Sequence, residues 1–191
     1  MTSETAASPV NARADARSNR ARILDAATHV LARDGQSSTL TRIAEEAGVG
    51  IGTLYRHFPN RGRLIEAVYR GRVEALCAAA ADLLATEESP HAALHVWATS
   101  FAEMLVDNRE VPEALQPALT DDSGFREESS SMLRSALQSL LDAGRVRGDI
   151  RTDVEPVDVL RLVNGLSYGA RTIDDVQRPL AIVFDGLRPQ A

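Results

Sequence analysis

Residues 39–58 read Thr39-Leu40-Thr41-Arg42-Ile43-Ala44-Glu45-Glu46-Ala47-Gly48-Val49-Gly50-Ile51-Gly52-Thr53-Leu54-Tyr55-Arg56-His57-Phe58. Leu40, Ile43, Ala44 and Ala47 recur at helical spacing, and so do Ile51, Leu54, Tyr55 and Phe58. The first set begins behind Thr39, whose hydroxyl suits a helix N-cap, and stops at Gly48. The second stops before Pro59, which disfavours helix at the residue preceding it. Only a tight turn fits between them. Two short helices that cross steeply need a small residue where they touch and a glycine where the chain turns. Ala44 and Gly48 meet that need, and Ile43, Ala47, Val49 and Leu54 supply a shared core. The spacing predicts a helix-turn-helix.

Gly50, Ile51, Gly52, Thr53, Tyr55, Arg56 and His57 are left for the outside of the second helix, with no acid among them. Small residues at its start allow close approach to a groove, and the helix N-terminus favours phosphate. A Tyr hydroxyl and a His can bond phosphate oxygens and so fix register. Thr53 and Arg56 can reach base edges, Arg preferring guanine O6 and N7. Tyr55 could instead be core, although Leu54 and Phe58 suit that role better; His57 could be a plain solvated residue.

Outward from this stretch the chain reads as all-α. Its 191 residues are 44% hydrophobic and 4% aromatic, rich in Ala and Leu and poor in strand formers. Residues 1–17 read as a disordered arm. A helix is expected from Asn19 to Asp34, carrying Ile23, Ala27, Val30 and Leu31 on one face, and closed by Gly35. Asn60 should cap a helix running from Arg61 to Ala85, about 38 Å long. Further helices are expected from Ser89-Pro90, between Gly124 and Ala143, from Pro156 to Ala170, and from Ile173 to Leu187; Pro112 and Pro117 bracket a short one at most. The domain reading is an arm at 1–17, a three-helix domain carrying the helix-turn-helix at 18–63 and a helical-bundle domain at 64–191. No secretory signal is evident, and the stretch Ala75–Ala85 is too short to span a bilayer and broken by Asp82, so no membrane partner and a cytoplasmic location are expected.

Charge is divided along the chain. All 21 cationic side chains are arginines. Residues 1–72 hold eleven of them against seven acids, whereas residues 73–191 hold ten against twenty. A basic front and an acidic back suggest two jobs, one of them facing a polyanion. Arg13, Arg17, Arg20 and Arg22 could form a minor-groove arm or belong to a solvated tail.

The back half offers weaker signals. Trp97, Phe101, Met104, Leu137, Leu140 and Leu166 form apolar stripes that read as core, yet such residues also line pockets between bundle helices. Trp97, Phe101, Met104, Leu137 and Leu166, with Tyr168 as a polar handle, are the candidate small-molecule site. His91 and His95 stand four apart, as metal ligands can, but lack a third ligand, so neither metal nor cofactor is expected. Cys77, the single cysteine, excludes an internal disulfide and reads as buried filler. A helical enzyme built on His91, His95 and Glu103 would lack a nucleophile motif and a phosphate loop. A helical adaptor binding protein through its acidic half is the other alternative.

The stretch Thr39 to Phe58 resembles the signature of TetR-type transcriptional regulators, and the match extends from about Arg20 to Leu64. The segments Asp158-Val159-Leu160 and Asp185-Gly186-Leu187-Arg188-Pro189 resemble, more weakly, the effector domain of an actinobacterial-style subgroup. The resemblance implies an all-helical homodimer, commonly of nine helices, that binds a near-palindromic DNA operator as a repressor. A small-molecule effector held in each C-terminal domain would release it. It implies a recognition helix at Ile51–His57 and a four-helix bundle in which the last two helices meet their mates. By position it places Thr39, Thr41, Arg42, Gly50, Gly52, Thr53, Tyr55 and His57 at frequent DNA-contacting places, and Arg61 where a lysine often meets phosphate. Three features depart from the pattern: Gly50 replaces a common Ser, Gly62 a common Glu, and the loop from Gly35 to Thr39 is one residue short.

Overall fold

The computed structural model of the chain describes residues 9–107 and 123–189. Its elements are α1 (Pro9–Asp34), a 3-10 turn (Gly35–Ser37), α2 (Leu40–Glu46), α3 (Ile51–His57), α4 (Arg61–Thr86), α5 (Pro90–Asp107), α6 (Ser123–Arg147), α7 (Pro156–Ser167) and α8 (Asp174–Asp185). Among the described residues there is no strand, and no helix is long and apolar enough to cross a membrane. The described residues form two compact units, 9–68 and 69–107 with 123–189, whose boundary falls within α4. The stretch around Pro112 and Pro117, and arm residues 1–8, lie outside the described residues.

The first unit is built on α1. Ile23, Ala27 and Val30 pack with Ile43, Ala44, Ala47, Leu54, Phe58 and Leu64. The helix begins ten residues before Asn19, where the apolar stripe begins. Residues 9–17, expected in the arm, are therefore helical. Pro9 is pre-set for a first helical position, and the Ala and Arg residues after it favour helix without an apolar face. Gly35, at φ +50°, turns the chain out of α1.

The second unit has its own core. Trp97, Phe101 and Met104 of α5 pack with Leu137, Leu140 and Leu141 of α6, Val159 and Val163 of α7, and Leu180 and Phe184 of α8. Trp97 Nε1 donates to the Leu76 carbonyl at 2.9 Å, so the indole carries no unmet donor into the core. Ser89 caps α5, its hydroxyl accepting from the Ala92 amide at 3.0 Å.

Sequence and structure part at the end of α6. The expected stop, Ala143, lies four residues before the true one, because Gly144 is an interior packing residue. A Cβ on Gly144 would lie 2.2 Å from Ile150 Cδ1. The terminating glycine is Gly148, at φ +77°, whose amide donates back to the Gly144 carbonyl at 2.9 Å. α7 starts at Pro156 as expected, and Asp158 Oδ2 in its first turn accepts from the Glu155 amide at 3.0 Å. It stops at Ser167, short of Ala170, where Gly169 takes φ +85°.

Candidate nucleic-acid interface

α2 and α3 are fixed by their own ends. The Thr39 hydroxyl accepts from the Arg42 amide at 3.2 Å, the N-cap that its position suggested. Ala47 and Gly48 turn the chain, Gly48 at φ +63°, and Gly50 leads into α3 in extended backbone. Leu54 and Phe58 are buried and anchor α3 inward. The helix's other face is bare: Gly50, Gly52 and Arg56 are exposed, Ile51 is 40% and Tyr55 49% accessible, and Thr53 and His57 are half-buried. Tyr55 is therefore a surface residue, not core. A Cβ added at Gly50 or Gly52 would meet nothing within 4 Å, so this face is open to close approach.

Arg56 folds back along α3. Its Nη2 donates to Thr53 Oγ1 at 2.9 Å and its Nε to the Gly52 carbonyl at 3.3 Å. Thr41 and Arg42 are exposed on α2, and Arg42 Nε lies 2.9 Å from Asp34 Oδ2. Arg33 bridges Asp34 and Glu46, at 2.9 and 3.0 Å, so the end of α1 is stitched to α2. Hydrogen bonding from Arg33 holds the Asp34 carboxyl below the usual carboxylate range.

Arg22 and Arg20 of α1 also have partners that the sequence did not reveal. Arg22 Nη2 donates to the Ala47 carbonyl at 2.5 Å and to the Gly48 carbonyl at 2.9 Å. It holds the turn between α2 and α3 from below, and the space beside Gly48 is filled by that guanidinium, 2.6 Å from where a Cβ would be. The sequence left Arg22 open between a minor-groove arm and a solvated tail; what fixes its role is a contact 25 residues away, which local pattern does not carry. Arg20 lies over the Phe58 ring at 5.4 Å. Arg17 is exposed on α1, and the side chain of Arg13 lies outside those described.

Arg61 opens α4, capped by Asn60, whose Oδ1 accepts from the Arg63 amide at 2.9 Å. Its guanidinium donates to the Ser38 carbonyl and, at 2.6 Å, to the Ser38 hydroxyl. Ser38 is itself buried and donates to the Gly35 carbonyl at 2.7 Å. Burial pulls the Arg61 pKa below its ordinary value. Two donors of the side chain placed by position at a phosphate are thus engaged inside its own unit.

The residues proposed for a small-molecule site divide. Trp97, Phe101, Met104 and Leu137 are buried together in the core of the second unit, and Leu166 packs against it half-buried. Tyr168 does not join them. It is 88% exposed, because the backbone leaves α7 at this residue and the side chain goes to the surface. His91 is buried, with Nε2 2.8 Å from the Phe184 carbonyl, and His95 lies against the Phe184 ring at 5.1 Å. Among the described residues no cluster of three potential metal ligands forms. Cys77 is half-buried, and burial raises its thiol pKa, which disfavours the reactive thiolate.

A helix-turn-helix with a bare second helix, followed along the chain by a separate helical unit, is the build of a bacterial DNA-binding regulator. Sequence profiles agree with it in both parts. The profile for bacterial regulatory proteins of the tetR family matches residues 23–68, and that for the C-terminal domain of SbtR-like transcriptional regulators matches residues 89–189. The chain belongs to the TetR family of transcriptional regulators. The crystal structure of the TetR regulator SCO0520 from Streptomyces coelicolor is 38% identical, with a TM-score of 0.77 over 90% of this chain and 99% of that one. A TetR regulator from Mycobacterium vanbaalenii is 31% identical, with a TM-score of 0.68 over 93% of this chain and 99% of that one. The transcriptional repressor KstR2 of Rhodococcus jostii is 24% identical over 184 residues, 88% of this chain and 90% of its own.

Proposed function

We propose that the protein is a homodimeric repressor that binds a near-palindromic operator and is released by a small-molecule effector, acting in the cytoplasm. The observation that carries the DNA reading is the exterior of α3, which is acid-free and exposed while Leu54 and Phe58 hold its other face down. Thr53 and Arg56 lie where base edges would pass, with Gly50, Ile51 and Gly52 permitting close approach. Thr39, Thr41, Arg42, Tyr55 and His57 flank them on the phosphate side. Arg61 supports this surface through Ser38.

The dimer reading rests on α7 and α8. Val157 and Leu162 are each 39% exposed and Ile182 65%, an apolar set on the two helices that end the chain. Two copies joined through such a face would form an isologous interface and present two recognition helices. The effector reading rests on Trp97, Phe101, Met104, Leu137 and Leu166. Large or flexible apolar side chains there would repack around an apolar ligand, which would weaken DNA binding by its preference for the DNA-free state and by no more.

Footprinting of the purified protein on DNA from its own locus tests the reading. A protected near-palindrome, with affinity falling steeply as salt rises, is expected from phosphate contacts that release counterions. Salt-independent or absent retention would overturn it and leave the adaptor alternative.

A further inference from the structure

Thr53 and Arg56 stand three residues apart on α3, on the face that carries no acid. The guanidinium has five N–H donors in a flat fork. Two of them, on Nε and Nη2, form one edge, and that edge is turned onto the helix. Nε meets the Gly52 carbonyl at 3.3 Å and Nη2 meets Thr53 Oγ1 at 2.9 Å. The opposite end, formed by Nη1 and the second Nη2 hydrogen, keeps a parallel pair of donors unengaged among the described residues. A parallel pair is what guanine O6 and N7 accept. A long exposed arginine otherwise samples many rotamers and gives up that freedom on binding. Here the second point of fixation is a β-branched residue, stiff about χ1.

We infer that Thr53 is a positioning residue for Arg56: its hydroxyl holds the guanidinium so that the Nη1–Nη2 end reads one guanine, and Thr53 itself reads no base. This deepens, and rests on, the assignment of α3 as the recognition helix. The two residues then act as one unit. Their substitutions affect a single base pair and are not additive.

The test is selection of bound sequences from a random duplex library by the full-length protein, repeated with Thr53→Val, Thr53→Ser, Arg56→Ala and the double variant Thr53→Val/Arg56→Ala. Valine keeps the shape and removes the acceptor, whereas serine keeps the acceptor. Thermal midpoints close to that of the parent establish that each variant is folded. Arg56→Ala is expected to lower preference for guanine at one position of each half-site by about tenfold or more. Thr53→Val is expected to lower preference at that same position by several-fold, Thr53→Ser to retain it, and the double variant to match Arg56→Ala. Relaxation by Thr53→Val at a different base pair, or an unaltered preference at the guanine, overturns the inference while leaving the recognition helix standing. Failure of the parent protein to enrich any sequence, or preferences that survive every α3 variant, overturns the recognition-helix assignment and the pair with it.

Discussion

Arg22, Arg56 and Arg61 look alike in the sequence, yet the fold gives each a different task. Arg56 is on the exposed face of α3, Arg22 holds two turn carbonyls, and Arg61 holds Ser38. The distinction has a measurable consequence for Arg61. A phosphate ligand contributes one released counterion, so its loss reduces the slope of log affinity against log salt by about 1. A charged hydrogen bond to a buried hydroxyl contributes about 1–3 kcal/mol of stability instead. Arg61→Ala should therefore lower the denaturation midpoint and weaken DNA binding alike on all sequences, with the salt slope unchanged. A slope that falls by one unit at unchanged stability would put Arg61 on phosphate after all. At this scale the sequence carried the chemistry of a side chain but not its partner. Thr39 and Asn60 were legible because a cap binds three residues away. Arg22 was not, because its partners lie 25 and 26 residues away.

At the scale of elements, legibility followed the apolar period. The bounds of α2, α3 and α4, and the start of α5, fall within a residue or so of those read from spacing and caps, since each begins or ends on a strong local signal. α1 and α6 ran longer than expected for opposite reasons: the start of α1 is helical without an apolar stripe, and α6 continues through a glycine. Gly144 sits in helix so that Ile150 can lie against it, and that contact decides the outcome of substituting it. Alanine gains roughly 1 kcal/mol over glycine in a helix interior. Its Cβ, however, would lie 2.2 Å from Ile150 Cδ1 and 2.9 Å from Ile150 Cβ, so rotating the tip of the isoleucine does not make room. Overpacking costs about 1–3 kcal/mol, and a clash that reaches Ile150 Cβ lies toward the upper end, about 2–3 kcal/mol, so it should win. Gly144→Ala is expected to destabilise by about 1–2 kcal/mol net in urea unfolding, and Ile150→Ala in the same chain to restore part of that loss, although Ile150→Ala alone is destabilising. If Gly144→Ala proves neutral or stabilising, the close approach of Ile150 does not govern the end of α6.

At the scale of the whole molecule, pH and the proposed assembly act on these pieces together. His95, against the Phe184 ring in the second unit, has a pKa held below its ordinary 6.5, first by burial and then by His91, with Asp185 opposing. The unfolded chain therefore takes up the proton first as pH falls. The stabilisation is present above 6.5 and is lost as pH drops from there toward the lower folded value, after which it stays constant. The carboxylates of Asp34, Asp153 and Asp175 are also held low, and their contribution fades only in the acid range below about pH 4. His95→Gln should thus flatten the fall in denaturation midpoint between pH 7 and 5.5 and leave the fall below pH 4 intact; an unaltered profile in the upper window would remove His95 from the account. The proposed assembly would be the larger coupling. The charge division, basic before residue 73 and acidic after it, was legible, but which apolar residues remain uncovered was not, because buried and uncovered apolar residues share one helical period. Ile182 on α8 and Leu162 on α7 are uncovered, while their neighbours Leu180 and Val163 are buried. A glutamate at either uncovered position is solvated in a monomer but would be desolvated in a dimer, where an unpaired buried charge costs several kcal/mol. Ile182→Glu should give a folded monomer by sedimentation at micromolar concentration, with unchanged helical circular dichroism. A monomer presents one recognition helix and loses the gain of linking two, so operator affinity should fall by at least about a hundredfold. A variant that stays dimeric, or a monomer that binds the operator as tightly as the parent, would show that α7 and α8 do not bring the two recognition helices together.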